Sequence, residues 1–447
     1  MIMNYYKSKI KGKFVLQGTL TAVSALKVAS GKEEESDSDI LLNSEGKPYI
    51  PGSSLSGAIK SQLIENGELS KIKGFRTFWG LDGVNESQLD FSHATLKKGC
   101  SFLVETRDGI AIDAKTNQTK TGAKYDYQVI AADVQFDFQM IINKIDEDSI
   151  VIAKSIAGIL QHGFVLGGHK NKGKGLLKLT DPNHRQFDFT KVADVESWIN
   201  RDLEHGGKQL ISDISLTKRG FGIHASFIIP KSLIIGSSDD ITGNNTEASD
   251  KVHLKSGGKY ILSGTSLKGA LKARARLIAN TIGIIDGEKL IAGLFGVKRD
   301  KQDAHVKKIR EAARLKCNEP VIMEVIDKMQ HRIKIDRFTG GTIDHAKFDS
   351  QPIFKGTVSN LQFSIPDHPS EAEIGLMLLV FGDLWRGDLL IGGEKNVGRG
   401  SLKGIGATIT IDEKKYELGE HAANSLPITD LDNYVSKLHK LKEITHE

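Results

Sequence analysis

Two stretches of the chain, Lys13 to Val28 and Phe221 to Ile235, set apolar residues among polar ones and predict a β-rich opening for each half. Each is followed by a polar loop and then by an apolar-periodic run that predicts a helix, Leu55 to Glu65 and Leu267 to Ile278. Ser and Thr stand just before these runs, where side-chain oxygens cap first-turn N–H groups. Strands are predicted again at Gln88 to Phe91, Phe102 to Glu105 and Val134 to Ile142, and in the second half at Val321 to Val325 and Val358 to Ile365. A second helix follows in each half, Asp148 to Leu160 and Glu371 to Leu384, with closing strands at Leu176 to Leu179 and Ser401 to Ile411. Strand-helix-strand twice over is the split βαβ order of a ferredoxin-like fold, so the predicted class is α+β.

The two halves also share sequence. The segment Gly46 to Lys60 returns without a gap as Gly258 to Lys272, with Gly52, Ser54, Leu55, Gly57 and Ala58 meeting identical residues. Phe78-Trp79-Gly80 is echoed by Leu294-Phe295-Gly296, and Leu166 to Gly175 by Ile391 to Gly400. Three landmarks in one order mark an internal duplication. The predicted domains are therefore 1–180 and 214–427, joined by a linker over 181–213 and followed by a polar C-terminal tail over 428–447. The linker contains a short helical pattern, Val192 to Leu203.

Composition narrows the class without choosing a function. The 447 residues are 39% hydrophobic and 26% charged, with a net charge of +5, as in an ordinary globular protein of two domains. That charge permits a nucleic-acid partner but must be concentrated locally to matter. Cys100 and Cys317 stand alone, which argues against a disulfide framework or a cysteine zinc site and fits a reducing cytoplasm. The first residues carry no signal-peptide pattern, and the longest apolar stretch, Ile374 to Phe381, is too short to span a bilayer, so no membrane role is expected. Glycine is abundant, 46 residues against 9 prolines, and it clusters at the repeated landmarks.

Those clusters suggest chemistry. At Gly52-Ser53-Ser54 and Gly264-Thr265-Ser266 a turn opens a helix, an arrangement that presents N–H groups to a phosphate. Lys60, Lys268, Lys272, Arg274 and Arg276 follow on the helices and would add phosphate contacts. The plainer alternative is a helix cap with a solvated basic face. Gly167, Gly168, Lys170 and Lys172, like Gly392, Gly393, Lys395 and Arg399, form glycine-rich loops with added charge from Lys174, in which a backbone can approach another backbone closely. Neither loop has Walker spacing, and a turn between elements is the alternative.

The paired motifs resemble the RAMP superfamily of CRISPR-associated proteins. Tyr49 to Gly57 is close to its proline-glycine-serine-serine-leucine-lysine-glycine signature, and Gly167 to Gly175 and Gly392 to Gly400 resemble its glycine-rich loop. The best match is the fused double backbone subunit of a type III, III-D-like, effector complex. The resemblance implies two tandem ferredoxin-like, RRM-like domains with thumb hairpins. It implies guide RNA, complementary target RNA and other effector-complex subunits as partners, in the cytoplasm. Thumb candidates are Arg107 to Asp133 and His331 to Lys355; Arg332 and Arg337 of the second join the expected RNA-binding residues, and Ile335-Asp336-Arg337 matches the family's thumb pattern. The first keeps Ile112-Asp113 but has Ala114 at the arginine's place.

The resemblance also implies metal-dependent cleavage of target RNA by an aspartate in the loop before the first helix, with Mg²⁺ or a similar divalent cation. In Glu33 to Asp39, Asp37 is nearest the family position and Asp39 competes; in the second half the candidate is Asp250. Asp37 and Asp250 are the expected metal ligands. A disordered acidic loop is the alternative. His169 has Glu394 as its counterpart, and His224, His253 and His345 are isolated, so no repeated catalytic histidine is expected. The insertion Lys298 to Cys317 predicts a mixed-charge basic helix. The reading is a guide-binding subunit with endoribonuclease activity. Its rivals are a metal-independent guide-processing endoribonuclease and a non-catalytic RNA scaffold.

Overall fold

The computed structural model describes residues 11–31, 36–65, 78–80, 86–110, 112, 119, 121–143, 147–203, 207–209, 220–237, 251–296, 312–419 and 428–442. The chain divides into two compact units. The first comprises Met1–Val104, Gln128–Lys170 and Lys174–Thr217; the second comprises Glu105–Tyr127, Asn171–Gly173 and Lys218–Glu447. Both mix helices with antiparallel sheet.

The first half runs β1 (Gly12–Ala22), β2 (Tyr49–Ile50), α1 (Gly52–Glu65), β3 (Leu89–Phe91), β4 (Ala94–Leu96), β5 (Val104–Gly109), β6 (Tyr125–Ile130), β7 (Gln135–Ile142), α2 (Glu147–His162), β8 (Phe164–Val165), β9 (Leu176–Asp188), α3 (Val192–Ile199) and β10 (Lys208–Gln209). The main sheet of the first unit has the order β10-β9-β1-β7-β4-β2, with β3 beside β7 and β8 beside β9. In β7 every second residue, Phe136, Phe138, Met140 and Ile142, points into the core, the period of a half-buried strand. Leu55, Ile59 and Leu63 repeat every four residues on α1 and cover the same core.

The second half repeats this plan: β11 (Phe221–Ile228), β12 (Gly236–Ser237), β13 (Lys251–His253), β14 (Lys255–Ser256), β15 (Lys259–Tyr260), α4 (Gly264–Ile282), α5 (Gly287–Phe295), β16 (Lys316–Cys317), β17 (Ile322–Asp327), β18 (Gln330–Ile335), β19 (Thr342–Gln351), β20 (Ile353–Ile365), α6 (Glu371–Arg386), β21 (Lys403–Ile411), β22 (Lys414–Gly419) and α7 (Ile428–His439). Its main sheet is β16-β20-β11-β21-β22, with β17 beside β20. In both units the opening strand lies between the long middle strand and the closing strand, and a helix follows the opening and the middle strand. α6 starts at a capping box, Ser370 with Glu373, and stops at Gly387 in the left-handed region.

Four expectations change. Both first helices begin at the glycine, Gly52 and Gly264, so the Ser and Thr residues lie in the first turn instead of before it. The interval 181–213, expected as a linker, carries the outer part of β9 and all of α3, where Phe187 stacks edge-on against Trp198. The tail expected over 428–447 is polar outside only: Leu431 and Leu438 of α7 are buried, and Gly375 of α6 admits the Tyr434 backbone, its absent Cβ falling 2.3 Å from that carbonyl oxygen. The insertion ends in β16 and not in a helix; residues 297–311 lie outside the described residues.

The late glycines hold each unit together at one corner. Gly168 N–H donates to Lys27 O and Gly393 N–H to Ile234 O, both at 2.8 Å. Gly175 N–H donates to Ala25 O and Gly400 N–H to Ser232 O, again both at 2.8 Å. A Cβ on Gly167 would sit 2.1 Å from Lys27 O and one on Gly392 2.3 Å from Ile234 O, at φ +91° and +86°. Gly57 and Gly269, also repeated, meet nothing within 4 Å. Alanine at Gly167 or Gly392 is therefore expected to cost about 2 kcal/mol or more. Alanine at Gly57 or Gly269 is expected to leave stability unchanged or raise it by up to about 1 kcal/mol. Urea unfolding midpoints of the four variants check both expectations.

Candidate nucleic-acid interface

The two helix starts are closed by the protein itself. Gly52 N–H donates to His93 Nδ1 at 3.0 Å, and Gly264 N–H donates to a carboxylate oxygen of Glu319 at 3.3 Å. Each glycine is needed because its Cβ would strike a backbone: Phe91 O at 2.0 Å for Gly52, Lys172 O at 2.2 Å for Gly264. At α4 the favourable place for an anion is thus taken by Glu319. Thr265 and Ser263 share a hydroxyl hydrogen bond at 2.6 Å, and Ser266 is half-buried. On α1, Ser53 is exposed while Ser54 and Lys60 are half-buried.

Several expected phosphate ligands have internal partners. Lys268 is buried, and its ammonium donates to Leu315 O at 2.5 Å and Asn171 O at 3.3 Å. Burial pushes its pKa down to about 8. Lys272 donates to Gly296 O at 3.2 Å, Arg274 pairs with Asp383 and Arg276 with Glu288. Arg399 is buried and holds Glu394 and Gln330; Arg332 holds the same Glu394 and Ser350. Lys174 is buried as well, whereas Lys172 is half-buried. The exposed cations of the glycine loops are Lys170 and Lys395, beside the exposed Gly167 and Gly393, with Gly168 and Gly392 half-buried.

The acidic loop of the first unit springs from the same corner. Leu41 N–H donates to Val28 O and Ser30 N–H to Asp39 O, which draws the loop's two ends together next to Lys27. Asp39 is buried, and its carboxylate accepts from Ser36 N–H at 2.8 Å and Ser36 Oγ at 2.7 Å, so it builds the turn. Asp37 is exposed at the tip of that turn. Asp250 and residues 33–35 lie outside the described residues. Among the described residues no three His, Cys, Asp or Glu side chains gather to hold a metal. The exposed Asp37 carboxylate fits a Mg²⁺ carried chiefly by substrate phosphate and water, a common mode for that ion.

The hairpins differ in their surroundings. The first, β5 and β6, has Asp113 outside the described residues, but its root belongs to the second unit. Arg107 there is buried and lies between Glu105, at 2.8 Å, and Glu319, at 3.3 Å, two half-buried residues whose carboxylate side chains are largely covered. Glu105 accepts from Gly257 N–H at 2.6 Å and Ser256 Oγ at 3.0 Å. Burial pushes the neighbouring Tyr127 hydroxyl up to about 12. No periodicity points to this group; Glu105 and Glu319 become visible only when the fold joins them. The second hairpin, β18 and β19, is open: Arg337 is exposed and Phe338 is 99% exposed. Asp336 shapes its tip by accepting from the Thr339 and Phe338 N–H groups, which lowers its pKa.

The profile of the RAMP superfamily matches residues 19–178 and 232–403, more than half of the chain. No curated protein matches. Two solved structures are similar over part of the chain, described as "Type III-B Cmr-beta Cryo-EM structure of the Apo state" and "Cryo-EM structure of the Type III-B Cmr-beta bound to cognate target RNA". Each has a TM-score of 0.32 and 18% identity and covers 37% of this chain and 96% of its own. No described helix is long and apolar enough to cross a membrane.

His253 anchors the strand that follows the acidic loop of the second unit. It is buried, accepts from Ile235 N–H and faces Ile261 O at 3.0 Å, and burial pushes its pKa down to about 4. Its unfolded pKa is near 6.5, so the unfolded chain binds the extra proton first and stability falls as the pH drops through this window. The chain is expected to lose about 2 kcal/mol between pH 7 and pH 5 from this group. Urea unfolding at the two pH values, with His253→Gln as the variant that removes the loss, checks it.

Proposed function

The chain belongs to the RAMP superfamily, and on that premise we propose that it is a guide-RNA-binding backbone subunit of a type III CRISPR ribonucleoprotein that cleaves target RNA. Each unit is read as a ferredoxin-like module, in support of which stands the strand order common to both sheets. The observation that carries the functional reading is the shared corner at Lys27. There the glycine loop bearing Lys170 and the acidic loop bearing Asp37 both hydrogen-bond to one short backbone segment. An exposed cation and an exposed carboxylate on adjoining loops suit a polyanion that must be both held and cut. The corner at Ile234, with Lys395, repeats the holding half of that arrangement.

Binding rests on phosphate contacts from Lys170, Lys395, Lys60, Lys172 and Arg337, together with the exposed Ser53 of the first helix turn, and carries little sequence preference. In the cutting step the Asp37 carboxylate orients the ribose 2′-hydroxyl and accepts its proton as the oxygen attacks the neighbouring phosphate in line; a 2′,3′-cyclic phosphate forms, the bond to the 5′-oxygen breaks, and that oxygen leaves as a hydroxyl with a proton from water. A divalent cation, when bound, stabilises the charge that grows on the phosphoryl oxygens. Asp39 keeps the turn rigid, so that Asp37 is presented without a further entropic cost. Asp250 has the corresponding role in the second half.

In the assembled complex Asp37→Ala is expected to lower target-RNA cleavage by about a hundredfold or more while leaving RNA affinity intact. Asp250→Ala tests the second half in the same assay. Unchanged cleavage in both variants reduces the chain to an RNA scaffold. Cutting of precursor repeat RNA in EDTA by the purified chain makes it a processing enzyme instead. RNA affinity is expected to fall steeply with salt, read as the slope of log K against log salt concentration.

A further inference from the structure

The open hairpin of the second unit carries a group of side chains that phosphate binding leaves unused. His331 and Asp349 stand opposite each other in the β18–β19 register, and His331 Nδ1 lies 2.8 Å from an Asp349 carboxylate oxygen. The Lys347 ammonium lies 3.8 Å from the other oxygen of the same carboxylate. Side chains two apart on a strand share a face, so Ile333, opposite Lys347, lies on this face as well. The carboxylate is recessed, 22% exposed, whereas the imidazole and the ammonium stand out at 63% and 65%. Ile333 is exposed beside them.

The duplication shows what is particular to this group. Ile112 bridges Thr119 in the first hairpin as Ile335 pairs with Thr342 in the second, and Leu26 bridges Ile130 as Leu233 bridges Ile353. One offset therefore relates the two hairpins along their length, and it places Lys124 on Lys347 and Asp126 on Asp349. Lysine and aspartate are thus present in both hairpins, and the third position differs: Asp108 stands where the second hairpin has His331. Asp108 pairs with Lys124 at 3.5 Å, so a carboxylate there is enough to tie the strands by charge. An imidazole adds a group that exchanges protons near neutral pH. Its hydrogen bond also selects the tautomer: a carboxylate only accepts, so in the neutral ring Nδ1 carries the proton and Nε2 keeps a lone pair. A base, the acid that orients it and a cation on one open face are the parts of a general-base site.

We infer that His331 is the general base of a further RNA-cleaving site, built on the second hairpin and independent of metal. The inference rests on the reading that the chain holds target RNA, and it adds a reaction centre apart from the loop aspartates. His331 Nε2 takes the proton of a ribose 2′-hydroxyl, and that oxygen attacks the adjoining phosphate. The Lys347 ammonium stabilises the charge that grows on the phosphoryl oxygens, the part a divalent cation would otherwise supply. A 2′,3′-cyclic phosphate forms and the bond to the 5′-oxygen breaks. That oxygen leaves as a hydroxyl with a proton from water, and the imidazolium gives its proton to the hydroxide that remains. Ile333 offers the apolar surface against which the ribose or its base rests.

The test uses the assembled complex carrying both Asp37→Ala and Asp250→Ala, in EDTA, on complementary target RNA whose affinity is measured alongside. Slow cleavage that leaves a 2′,3′-cyclic phosphate is expected. Adding His331→Asp, the residue of the first hairpin, should lower its rate by about a hundredfold. His331→Ala should lose as much, and free imidazole should restore about a tenth or more of the rate, which a purely structural role would not allow. Bound RNA that stays whole in EDTA overturns the inference and leaves the RNA-binding reading standing. Cleavage that His331→Asp does not slow, or a His331→Ala loss that imidazole does not repair, overturns it too. Target RNA that does not bind overturns the underlying reading and the inference together.

Discussion

Each unit depends on one close approach of backbone to backbone. The glycine loop ahead of the closing strand presses against the segment that leaves the opening strand, and two N–H groups of the loop are satisfied there. A side chain on Gly167 or Gly392 would occupy the space of the carbonyl oxygen opposite. Closing strand, opening strand and the roots of the loops that leave them are thereby fixed together. The acidic loop inherits its position from this contact, since its ends pair with each other directly beside Lys27.

Much of this was legible in the sequence. Alternation in Gln135 to Ile142 and the four-residue spacing of Leu55, Ile59 and Leu63 mark their elements because burial on one face selects those periods. The glycine loops were legible as places of close approach, but not what approaches: for Gly167 and Gly392 it is the chain's own carbonyl group. The helix starts shifted toward the amino terminus because His93 and Glu319, distant in sequence, cap the glycine N–H groups. Local capping rules consider neighbours only, and these caps come from connections between strands far along the chain. The tail helix was underestimated for a related reason. Its two inward leucines are few in a polar segment, and only the absence of a side chain at Gly375 lets α7 pack close.

The candidate site was legible in part. Asp37 and Asp39 are two residues apart and identical in chemistry, yet one caps a turn and the other projects from it. A sequence cannot divide such a pair, because the difference lies in which carboxylate finds Ser36. The basic helix α4 teaches the same lesson in reverse. Lys268, Lys272, Arg274 and Arg276 look alike in sequence, but each has a carbonyl or carboxylate partner within the unit. Charge counts therefore overstate the cationic surface open to a ligand, and the loops, with Lys170 and Lys395, retain more of it than the helices.

The buried group of Glu105, Arg107 and Glu319 has a kinetic meaning as well as a structural one. Its members are joined through the polypeptide, so they meet at an effective concentration fixed by chain length and not by how much protein is present. Dilution cannot separate them. Withdrawing three charges from water is costly, and an ion pair so placed adds little net affinity. A tethered joint can tolerate that cost, because tethering supplies the encounter and the charges need only select the correct arrangement. Burial of this kind suits a contact made once, as the chain folds, and never released.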